Sequence, residues 1–544
     1  MSRQNAGMDW NLASIFESVS DALGDRVALI NGNTRRSWSE FDDRAARVAA
    51  ALRDAGLGPN SKVAQYAYNS NEYSEGVFAT LKLRAVPVNV NYRYTEDELL
   101  YLLDNSDAEA LIFHGSLGEQ VAKVLDRAPR LKLVAQIDDG APHLDGCEHF
   151  EDLATRTEPM GRIERSGDDL YFLYTGGTTG MPKGVMWRNE DLFGTLAESV
   201  YPLFGQPLPD RSSEAGTVAQ AMVDGGVSTV HLPGSPLMHG TGAFTSFQAL
   251  FTGGAVVTLT KRSFDPDEMW STVARERVTQ MAIVGDAFCK PMLAALRDAE
   301  ARGEPYDTSS LGLVISSGVM WSSESKAELI ARAGVLCLDS LGSSEGVGFG
   351  NSMSMPGAET KTAKFTIGGH AKVLRDDGTA VEPGSGEIGV LALGGHIPLG
   401  YYKDEVKSAD TFRIMGGVRY SVPGDMAQVE ADGTITLLGR GSVCINSGGE
   451  KIYPEEIEEI VKLQAGVADC LCVGLPDERF GEVVAAIVTP AIGADLAADT
   501  LSAGLGSLAR YKHPRRWIFT DQILRAANGK ADYKAAKALA VDNP

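Results

Sequence analysis

The sequence predicts an α/β fold, in which a large N-terminal domain of layered α/β subdomains ends in a small β subdomain and precedes a small α+β domain. Strand-like and helix-like runs alternate over most of the chain, which is typical of a largely parallel sheet. From Phe365 to about Leu438 the pattern changes to strands punctuated by Gly and Asp-Gly. At 544 residues and 44% apolar, the chain can bury a sizeable core and is too long for one ordinary domain.

Local signals define the first elements. Asn31-Gly32 separates two strand-like runs and predicts a β-hairpin. A helix is predicted from about Glu40 to Gly56, and Thr95 with Glu98 forms a capping box that opens another helix. Further strands are predicted at Lys62–Tyr68, Val86–Val90, Ala110–Phe113 and Leu131–Ile137, with helices at Glu72–Leu83 and Gln120–Asp126.

The alternation lapses once and then resumes. Pro202 to Val230 is rich in small and polar residues, and we interpret it as a surface insertion with one short helix. The later strands are predicted at Ala255–Leu259, Gln280–Val284, Leu311–Ser316, Ala468–Val473, Val483–Val488 and Arg516–Thr520. The later helices are predicted at Asp267–Glu276, Glu455–Leu463 and Asp532–Ala540.

Composition argues against several classes of protein. The net charge of -22 disfavours nucleic-acid binding, which needs a basic face to displace counterions. The six cysteines are scattered without a CxxC pair, so neither a disulfide framework nor a structural zinc site is indicated. Signal-peptide and transmembrane runs are not found in the sequence. These features together predict a cytoplasmic location.

The stretch from Thr175 to Gly184, TGGTTGMPKG, has the composition of a phosphate-binding loop. It follows the apolar run Leu170–Tyr174, which predicts a buried strand. Glycines let the backbone approach an anion, threonine hydroxyls can bind phosphate oxygens, and Lys183 adds a positive charge. The stretch is not the usual nucleotide P-loop, because Gly184 rather than Ser or Thr follows Lys183. An ordinary Gly/Thr/Pro turn remains the alternative.

Two acidic residues also follow strand or turn signals. Glu345 lies in DSLGSSEG, behind the apolar run Val335–Leu338, so we expect it at the carboxyl end of a strand, where ligands bind in open sheets. An acid there can hold Mg²⁺ against nucleotide phosphates, although a solvated turn glutamate is the alternative. Asp425 follows the tight turn Val422–Gly424 and is suited to accept two ribose hydroxyls.

Two glycine-containing stretches complete the set. Lys530 lies on the Asn528-Gly529-Lys530 loop, from which it could reach a phosphate site and offset developing negative charge. Ser447, Gly448 and Gly449 are consistent with backbone that lines a narrow tunnel, or with a plain turn before the helix that Pro454 opens.

Taken in order, these motifs resemble those of the adenylate-forming superfamily of acyl-CoA synthetases, luciferases and peptide-synthetase adenylation domains. The stretches YTGGTTG, MPKGVMW and GRGSVCINSGGEK look most like bacterial fatty-acid or steroid-carboxylate CoA ligases. The resemblance implies an AMP-forming acyl-CoA synthetase that uses ATP, Mg²⁺ and coenzyme A. Its substrate would be an apolar acid, either a medium- or long-chain fatty acid or a steroid side-chain acid. It also implies that residues 1–439 bind ATP and the acyl group, and that residues 440–544 form a mobile domain with a hinge near 440–442.

The resemblance assigns roles residue by residue. Two positions depart from the family pattern, since Leu341 stands where an aromatic usually stacks on adenine and Asn446 replaces a lysine. The implied catalytic residues are Lys530, Glu345, Thr175 and Lys183, with Glu345 as the metal ligand. The implied ATP and AMP contacts are Thr175, Gly176, Gly177, Thr178, Thr179, Gly180, Lys183, Asp339, Ser340, Leu341, Gly342, Ser344, Glu345, Asp425, Arg440, Lys451 and Lys530. Ser442 is the implied hinge, the acyl pocket comprises His239, Met238, Phe244, Gly318 and Gly346, and the coenzyme A tunnel comprises Ser447, Gly448 and Gly449.

Three other functions share these motifs. A ligase could load a carrier protein instead of coenzyme A, although no carrier domain follows Lys530. A luciferase-like oxygenase and a catalytically inactive binding protein are the remaining alternatives. A homodimer is the default expectation for the oligomeric state.

Overall fold

The computed structural model describes residues 10–175, 181–227, 229–319, 321–357, 364–440, 443, 445–447, 450–477, 481–506, 508, 510–525 and 531–543. The chain forms two compact units. The first comprises residues 1–362, 393–413 and 419–421, and the second comprises residues 363–392, 414–418 and 422–544.

Helices and strands alternate along much of the chain. The helices are α1 (Leu12–Leu23), α2 (Trp38–Asp54), α3 (Asn71–Lys82), α4 (Glu96–Asn105), α5 (Gly118–Val124), α6 (Phe150–Arg156), α7 (Asn189–Val200), α8 (Ala215–Asp224), α9 (Gly240–Phe251), α10 (Pro266–Glu276), α11 (Gly285–Ala301), α12 (Ser323–Ala333), α13 (Glu405–Thr411), α14 (Pro454–Lys462), α15 (Ala498–Ala503) and α16 (Tyr533–Asp542). The strands are β1 (Val27–Asn31), β2 (Thr34–Ser37), β3 (Lys62–Tyr66), β4 (Val86–Asn89), β5 (Ala108–His114), β6 (Leu133–Ile137), β7 (Glu148–His149), β8 (Leu170–Thr175), β9 (Lys183–Arg188), β10 (Val230–Pro233), β11 (Ala255–Thr258), β12 (Gln280–Ile283), β13 (Leu313–Ser317), β14 (Leu336–Ser343), β15 (Gly346–Ser354), β16 (Lys364–Ile367), β17 (Ala371–Leu374), β18 (Ile388–Leu393), β19 (Gly400–Tyr401), β20 (Phe412–Met415), β21 (Val418–Ser421), β22 (Asp425–Val429), β23 (Ile435–Arg440), β24 (Ile445–Ser447), β25 (Glu450–Ile452), β26 (Val467–Asp477), β27 (Gly481–Pro490) and β28 (Arg516–Phe519).

The first unit contains two mainly parallel sheets. In one the strand order is β2-β1-β11-β10-β12-β13-β14-β15, and only the outer strands β2 and β15 run antiparallel to their neighbours. In the other the order is β19-β9-β8-β4-β3-β5-β6-β7, with β9 and β19 antiparallel. The central strands of these sheets are buried on both faces, and for this reason they are continuous apolar runs in the sequence. The cores include Trp270 and Trp321 beside the first sheet, and Phe113 and Phe172 beside the second.

The second unit contains a sheet of order β25-β24-β27-β26, with β28 parallel to β27. Side chains of β26 alternate between two cores. Cys470 and Cys472 pack with residues of α14, whereas Leu471 and Val473 pack with residues of α16. This is the two-residue period of a strand that is buried on both faces. The same unit holds the antiparallel neighbours β16, β23 and β22, which belong to the stretch predicted as a small β subdomain.

The predicted α/β class is confirmed, and the predicted hairpin and capping box are present. β1 and β2 flank Gly32, and the Thr95 hydroxyl accepts from the backbone of Glu98 while the Glu98 carboxylate accepts from the backbone of Thr95. Seven described helices of the first unit were not predicted: α1, α6, α7, α9, α11, α12 and α13. In α11 the sequence signal is masked by Pro291 within the helix, and in α9 it is masked by two glycines in the first turn. The division at residue 440 stays a prediction. Among the helices of the described residues, none has the length and apolar character that a bilayer span requires.

Candidate active site

Glu345 lies in the turn between β14 and β15, just beyond the carboxyl end of β14. Hydrogen bonds from three sides fix this turn. The Trp187 indole Nε1 donates to the carbonyl of Ser344 at 3.1 Å, and the Ser421 hydroxyl donates to the carbonyl of Glu345 at 2.6 Å. The amide of Glu345 donates to the Ser343 hydroxyl at 3.2 Å. The predicted metal-binding acid therefore sits on a constrained turn at the sheet edge where ligands bind.

The carboxylate of Glu345 is also held directly. The Tyr401 hydroxyl donates to Glu345 Oε1 at 2.8 Å, and Glu345 is half-buried. A carboxylate can accept several hydrogen bonds or metal bonds, so one bond from a phenol leaves capacity for a hard cation. The donor set suits Mg²⁺, which is typically bound by one or two carboxylates together with phosphate oxygens.

Thr175 and Lys183 face each other across an antiparallel hairpin. Thr175 ends β8, Lys183 opens β9, and the two are direct cross-strand partners. Lys183 was expected within the loop but begins a strand, because the apolar residues that follow it pair with β8. The stretch between the two strands is closed at its base by this pair, and residues 176–180 lie outside the described part of the chain.

Lys183 has an acidic partner. Its Nζ lies 2.5 Å from Asp404 Oδ2 and 5.8 Å from the centre of the Tyr401 ring. The hydrogen bond from Lys183 is the main cause that holds the pKa of Asp404 below its ordinary value. Asp404 also accepts from the backbone of Lys407 and so caps α13. The ammonium group of Lys183 is thereby placed beside the same tyrosine that contacts Glu345.

Asn89, at the carboxyl end of β4, joins the phosphate-loop strand to the predicted acyl pocket. Its Nδ2 donates to the carbonyls of Tyr174 at 2.9 Å and Met238 at 2.7 Å. Its Oδ1 accepts from the amide of Tyr174 at 2.6 Å. Because the side chain is buried and its polar atoms are paired, it fixes the distance between the two segments.

The five predicted acyl-pocket residues all lie in the first unit. Met238 and Phe244 are buried, and Phe244 packs against Trp187 with ring centres 6.2 Å apart. His239 is the residue before the first turn of α9. Gly318 has a φ of +93°, which disfavours other residues, and a Cβ at Gly346 would lie 2.9 Å from Leu393 and Phe349.

Asp339 is a buried member of β14. Its carboxylate lies 3.3 Å from Nζ of Lys326 on α12, and both side chains are almost fully enclosed. A buried charge is costly unless an opposite charge lies beside it. This ion pair therefore fixes α12 against β14, the strand that ends at the Glu345 turn. Leu341 is half-buried and lies opposite Gly350 in β15.

In the second unit, Asp425 and Arg440 are direct cross-strand partners in β22 and β23. The two predicted ribose contacts, well separated in sequence, therefore share one edge of a small sheet. Lys451 is the partner of Asn446, and Ser447 pairs with both Glu450 and Gly481.

The segment that contains Lys530 is anchored at both ends. Arg525 and Ala531 form an antiparallel bridge, and Asp532 donates its amide to the carbonyl of Leu524. Arg525 Nε lies 2.6 Å from Asp469 Oδ2 on β26. Residues 526–530 themselves lie outside the described residues.

Family models match both parts of the chain. The model described as AMP-binding enzyme matches residues 16–402, and the model described as AMP-binding enzyme C-terminal domain matches residues 456–530. The chain belongs to the AMP-binding enzyme family.

Relatives of this AMP-binding enzyme have similar length. One is a medium/long-chain-fatty-acid–CoA and 3-oxocholest-4-en-26-oate–CoA ligase of Mycolicibacterium smegmatis, 41% identical over 99% of this chain and 98% of the relative. Another is a 3-oxocholest-4-en-26-oate–CoA ligase of Rhodococcus rhodochrous, 42% identical over 97% of this chain and 96% of the relative. Among solved structures, ATP-bound MatB from Rhodopseudomonas palustris matches with a TM-score of 0.81 at 25% identity, covering 98% of this chain and 99% of MatB. The anthranilate CoA ligase AuaEII, 22% identical over the whole of both chains, shares the fold with a TM-score of 0.84.

Apart from the acyl-pocket residues and those of β14, the predicted site residues of this AMP-binding enzyme fall into three groups. Thr175, Lys183, Ser344 and Glu345 lie on neighbouring segments of the first unit, linked through Trp187 and Tyr401. Asp425 lies in the second unit, where the described backbone also places Arg440, Ser447 and Lys451. Predictions that fall outside the described residues are those for Gly176, Gly177, Thr178, Thr179, Gly180, Ser442, Gly448, Gly449 and Lys530.

Three residues at the site were missed by sequence reasoning: Asn89, Trp187 and Tyr401. Asn89 carried a signal, since it lies next to the end of the predicted strand Val86–Val90 and an amide there can bind neighbouring backbone. Trp187 ends the MPKGVMW motif, but its indole donor has no local sequence signature. Tyr401 and Tyr402 are indistinguishable by pattern, because only the fold decides which hydroxyl meets Glu345.

Proposed function

We propose that this AMP-binding enzyme is an ATP-dependent acyl-CoA ligase. It activates an apolar carboxylic acid to an acyl-adenylate with release of pyrophosphate, and then transfers the acyl group to coenzyme A with release of AMP. The observation that carries the proposal is the full-length identity of 41–42% with ligases of that name. The constrained carboxylate of Glu345 and the ammonium group of Lys183, both of which contact Tyr401, are the groups that this chemistry requires.

The acid is a medium- or long-chain fatty acid or a steroid side-chain acid. The names of the relatives support this class of substrate. The predicted pocket residues support it too, because Met238 and Phe244 are apolar and the space beside Gly318 is open, with the nearest atom, the Thr241 hydroxyl oxygen, 4.0 Å from the Cβ position.

In the first half-reaction the substrate carboxylate attacks the α-phosphorus of ATP. Glu345 would hold Mg²⁺, and the ion supplies neutralisation of phosphate charge when bound. Thr175 and Lys183 orient the departing pyrophosphate, Asp425 accepts the ribose hydroxyls, and Lys530 stabilises charge at the α-phosphate. Positioning and charge neutralisation provide most of the catalysis in such transfers.

In the second half-reaction the thiol of coenzyme A attacks the acyl-adenylate. We propose that residues 440–544 turn about Ser442, withdraw Lys530 and present Ser447, Gly448 and Gly449 as the tunnel for the pantetheine arm. A small residue such as Ser442 can absorb a large backbone rotation.

The experiment is an assay of AMP release with short, medium, long-chain and steroid acids, each with and without coenzyme A. We expect AMP release that requires both ATP and an apolar acid, and a thioester product only when coenzyme A is present. Release of pyrophosphate without any thioester would favour loading of a carrier protein. Oxygen consumption without coenzyme A would favour an oxygenase, and failure with every acid would refute the proposal.

Two further expectations concern the cell and the assembly. We propose a cytoplasmic location, supported by the free cysteines of the described residues, none of which forms a disulfide there. We also propose a homodimer. Light scattering coupled to gel filtration tests the assembly, and a monomer mass of 57.9 kDa would refute it.

A further inference from the structure

Tyr401 is held in one place by its backbone and its ring. It belongs to β19, which pairs antiparallel with β9 so that Tyr401 lies opposite Val185. The Tyr401 amide donates to the Ser408 hydroxyl at 2.8 Å, and the ring centre lies 5.8 Å from that of Phe412. Only 6% of the residue is exposed. The backbone and ring are therefore fixed by their neighbours.

The Tyr401 hydroxyl contacts Glu345. The Tyr401 hydroxyl donates to Oε1 at 2.8 Å, across 56 residues of sequence. The backbone of the Glu345 turn is already fixed by Trp187 and Ser421, so the hydroxyl acts on the remaining freedom, which is the rotation of the carboxylate. A carboxylate held in one rotamer loses less conformational entropy when a cation binds.

The same ring contacts the phosphate-loop lysine. Nζ of Lys183 lies 5.8 Å from the ring centre and is oriented by Asp404. An ammonium near an aromatic face is attracted by the ring. Tyr401 thus contacts both Glu345, which the proposed function assigns to Mg²⁺, and Lys183, which it assigns to pyrophosphate.

We propose that Tyr401 is a positioning residue for the metal-binding carboxylate of Glu345. It preorganises the carboxylate for the Mg²⁺–ATP complex and so acts in acyl-adenylate formation rather than in thioester formation. This inference rests on the proposed function, and nothing in the sequence pattern singles out Tyr401.

The next residue offers a matched control. Tyr402 directly follows β19 and donates its hydroxyl to Asp107 Oδ2 at 2.8 Å, whereas Tyr401 donates to Glu345. Its ring packs against Phe172 with centres 4.9 Å apart. Tyr402→Phe therefore removes an equivalent phenol–carboxylate hydrogen bond without touching Glu345.

The experiment compares full-length Tyr401→Phe and Tyr402→Phe with the wild type. Binding of Mn²⁺ to each protein, saturated with an ATP analogue that has a methylene bridge between the α- and β-phosphates, is measured by electron paramagnetic resonance. We expect Tyr401→Phe to weaken Mn²⁺ binding about 10- to 100-fold, the usual effect of losing a hydrogen bond to a metal ligand. Tyr402→Phe should stay within about twofold, since its partner is remote from the metal.

Kinetics and a double variant separate positioning from general damage. The Mg²⁺ concentration for half-maximal pyrophosphate release should rise in Tyr401→Phe, while thioester formation from a supplied acyl-adenylate should be unchanged. In a Glu345→Gln background, Tyr401→Phe should have no further effect on Mn²⁺ binding, because the two residues act as one unit. Should Tyr401→Phe fold poorly, 3,5-difluorotyrosine at position 401 keeps the ring and changes only the strength of the donor.

Three outcomes would overturn the proposal: unchanged Mn²⁺ binding in Tyr401→Phe, equal losses in both tyrosine variants, or full additivity with Glu345→Gln. Failure of the proposed function looks different, since the wild type would then release no AMP with any acid while the Mn²⁺ comparison could still be made.

Discussion

Arg525 and Asp469 form an ion pair of 2.6 Å that anchors the start of the segment leading to Lys530. The pair is largely buried, and although burial raises the pKa of Asp469, the hydrogen bond from Arg525 and then the charge of Arg525 hold this pKa below its ordinary value. At the other end, the Tyr533 hydroxyl donates to Glu458 Oε2 at 3.3 Å. In sequence, these two anchored residues flank the predicted adenylation lysine.

Asp469→Asn should destabilise the second unit and impair adenylation. Loss of one partner leaves the Arg525 charge poorly compensated, which costs about 3 kcal/mol for a buried pair. Urea unfolding should show this loss, and acyl-adenylate formation should fall more than thioester formation from a supplied adenylate. Lys123→Gln, which breaks an exposed pair with Glu119, is the control and should change stability by less than about 0.5 kcal/mol. Equal effects of the two substitutions would contradict this account.

Asn89→Leu should destabilise the first unit and lower activity. The substitution keeps the approximate volume but leaves the carbonyl of Met238 and the backbone of Tyr174 without their partner. Buried polar groups left unpaired cost about 1 to 3 kcal/mol each, so we expect a loss of about 3 kcal/mol in unfolding free energy. Denaturant titration measures it. If the variant has the unfolding midpoint and the kcat/KM of the wild type, Asn89 does not join the segments that contain Tyr174 and Met238.

His396 should make stability depend on pH. Its Nδ1 lies 3.0 Å from Asp191 Oδ1, and although burial lowers the pKa of His396, the hydrogen bond and charge of Asp191 raise it overall. The charges of Glu198 and Glu190 also raise the pKa of His396. Although burial raises the pKa of Asp191, its hydrogen bonds with His396 and Arg188 hold it below its ordinary value. Because the folded pKa is raised, this stabilisation is complete below the ordinary histidine value of about 6.5 and is lost as pH rises through the folded value.

His396→Gln should therefore lower unfolding free energy by about 1 to 2 kcal/mol at about pH 6 and by less at about pH 9. Chemical denaturation across this range provides the measurement, with the exposed His143→Gln as the control. If the difference in unfolding free energy between the wild type and His396→Gln stays constant with pH, the assignment is contradicted.

Leu341→Tyr should strengthen nucleotide binding. The position opposite Leu341 is Gly350, which has no side chain to obstruct a larger ring. An aromatic that stacks on adenine contributes about 0.5 to 1.5 kcal/mol beyond burial, so AMP affinity should rise about two- to tenfold. Titration calorimetry with AMP tests this, and Leu341→Met serves as the apolar control. Weaker binding in the tyrosine variant would mean that the base does not lie against this position.

The sequence predicted best those elements that carry local signals. The hairpin at Asn31-Gly32, the capping box of α4 and the buried strands β3, β4 and β8 were found because turn residues and apolar runs are local properties. The sequence did not predict the start of β9 at Lys183 or the strand β15. Glycine-rich stretches resemble loops in sequence, and only pairing with a neighbouring strand makes them strands.

The candidate site was predicted only in part for the same reason. Glu345 and Asp425 follow strand or turn signals, whereas Tyr401 and Asn89 act through contacts far apart in sequence. Neither the choice between Tyr401 and Tyr402 nor the three bonds of Asn89 is encoded by spacing. They depend on which face of a strand meets which neighbour.

Lys530→Ala tests the central claim most directly, because the account assigns this lysine to only one of the two half-reactions. Acyl-adenylate formation should fall by at least about a hundredfold, the usual cost of losing a group that stabilises transition-state charge. Thioester formation from a supplied acyl-adenylate should stay within about threefold of the wild type, because the lysine has left the site by then. Equal loss in both assays, or adenylation at the wild-type rate, would contradict the account.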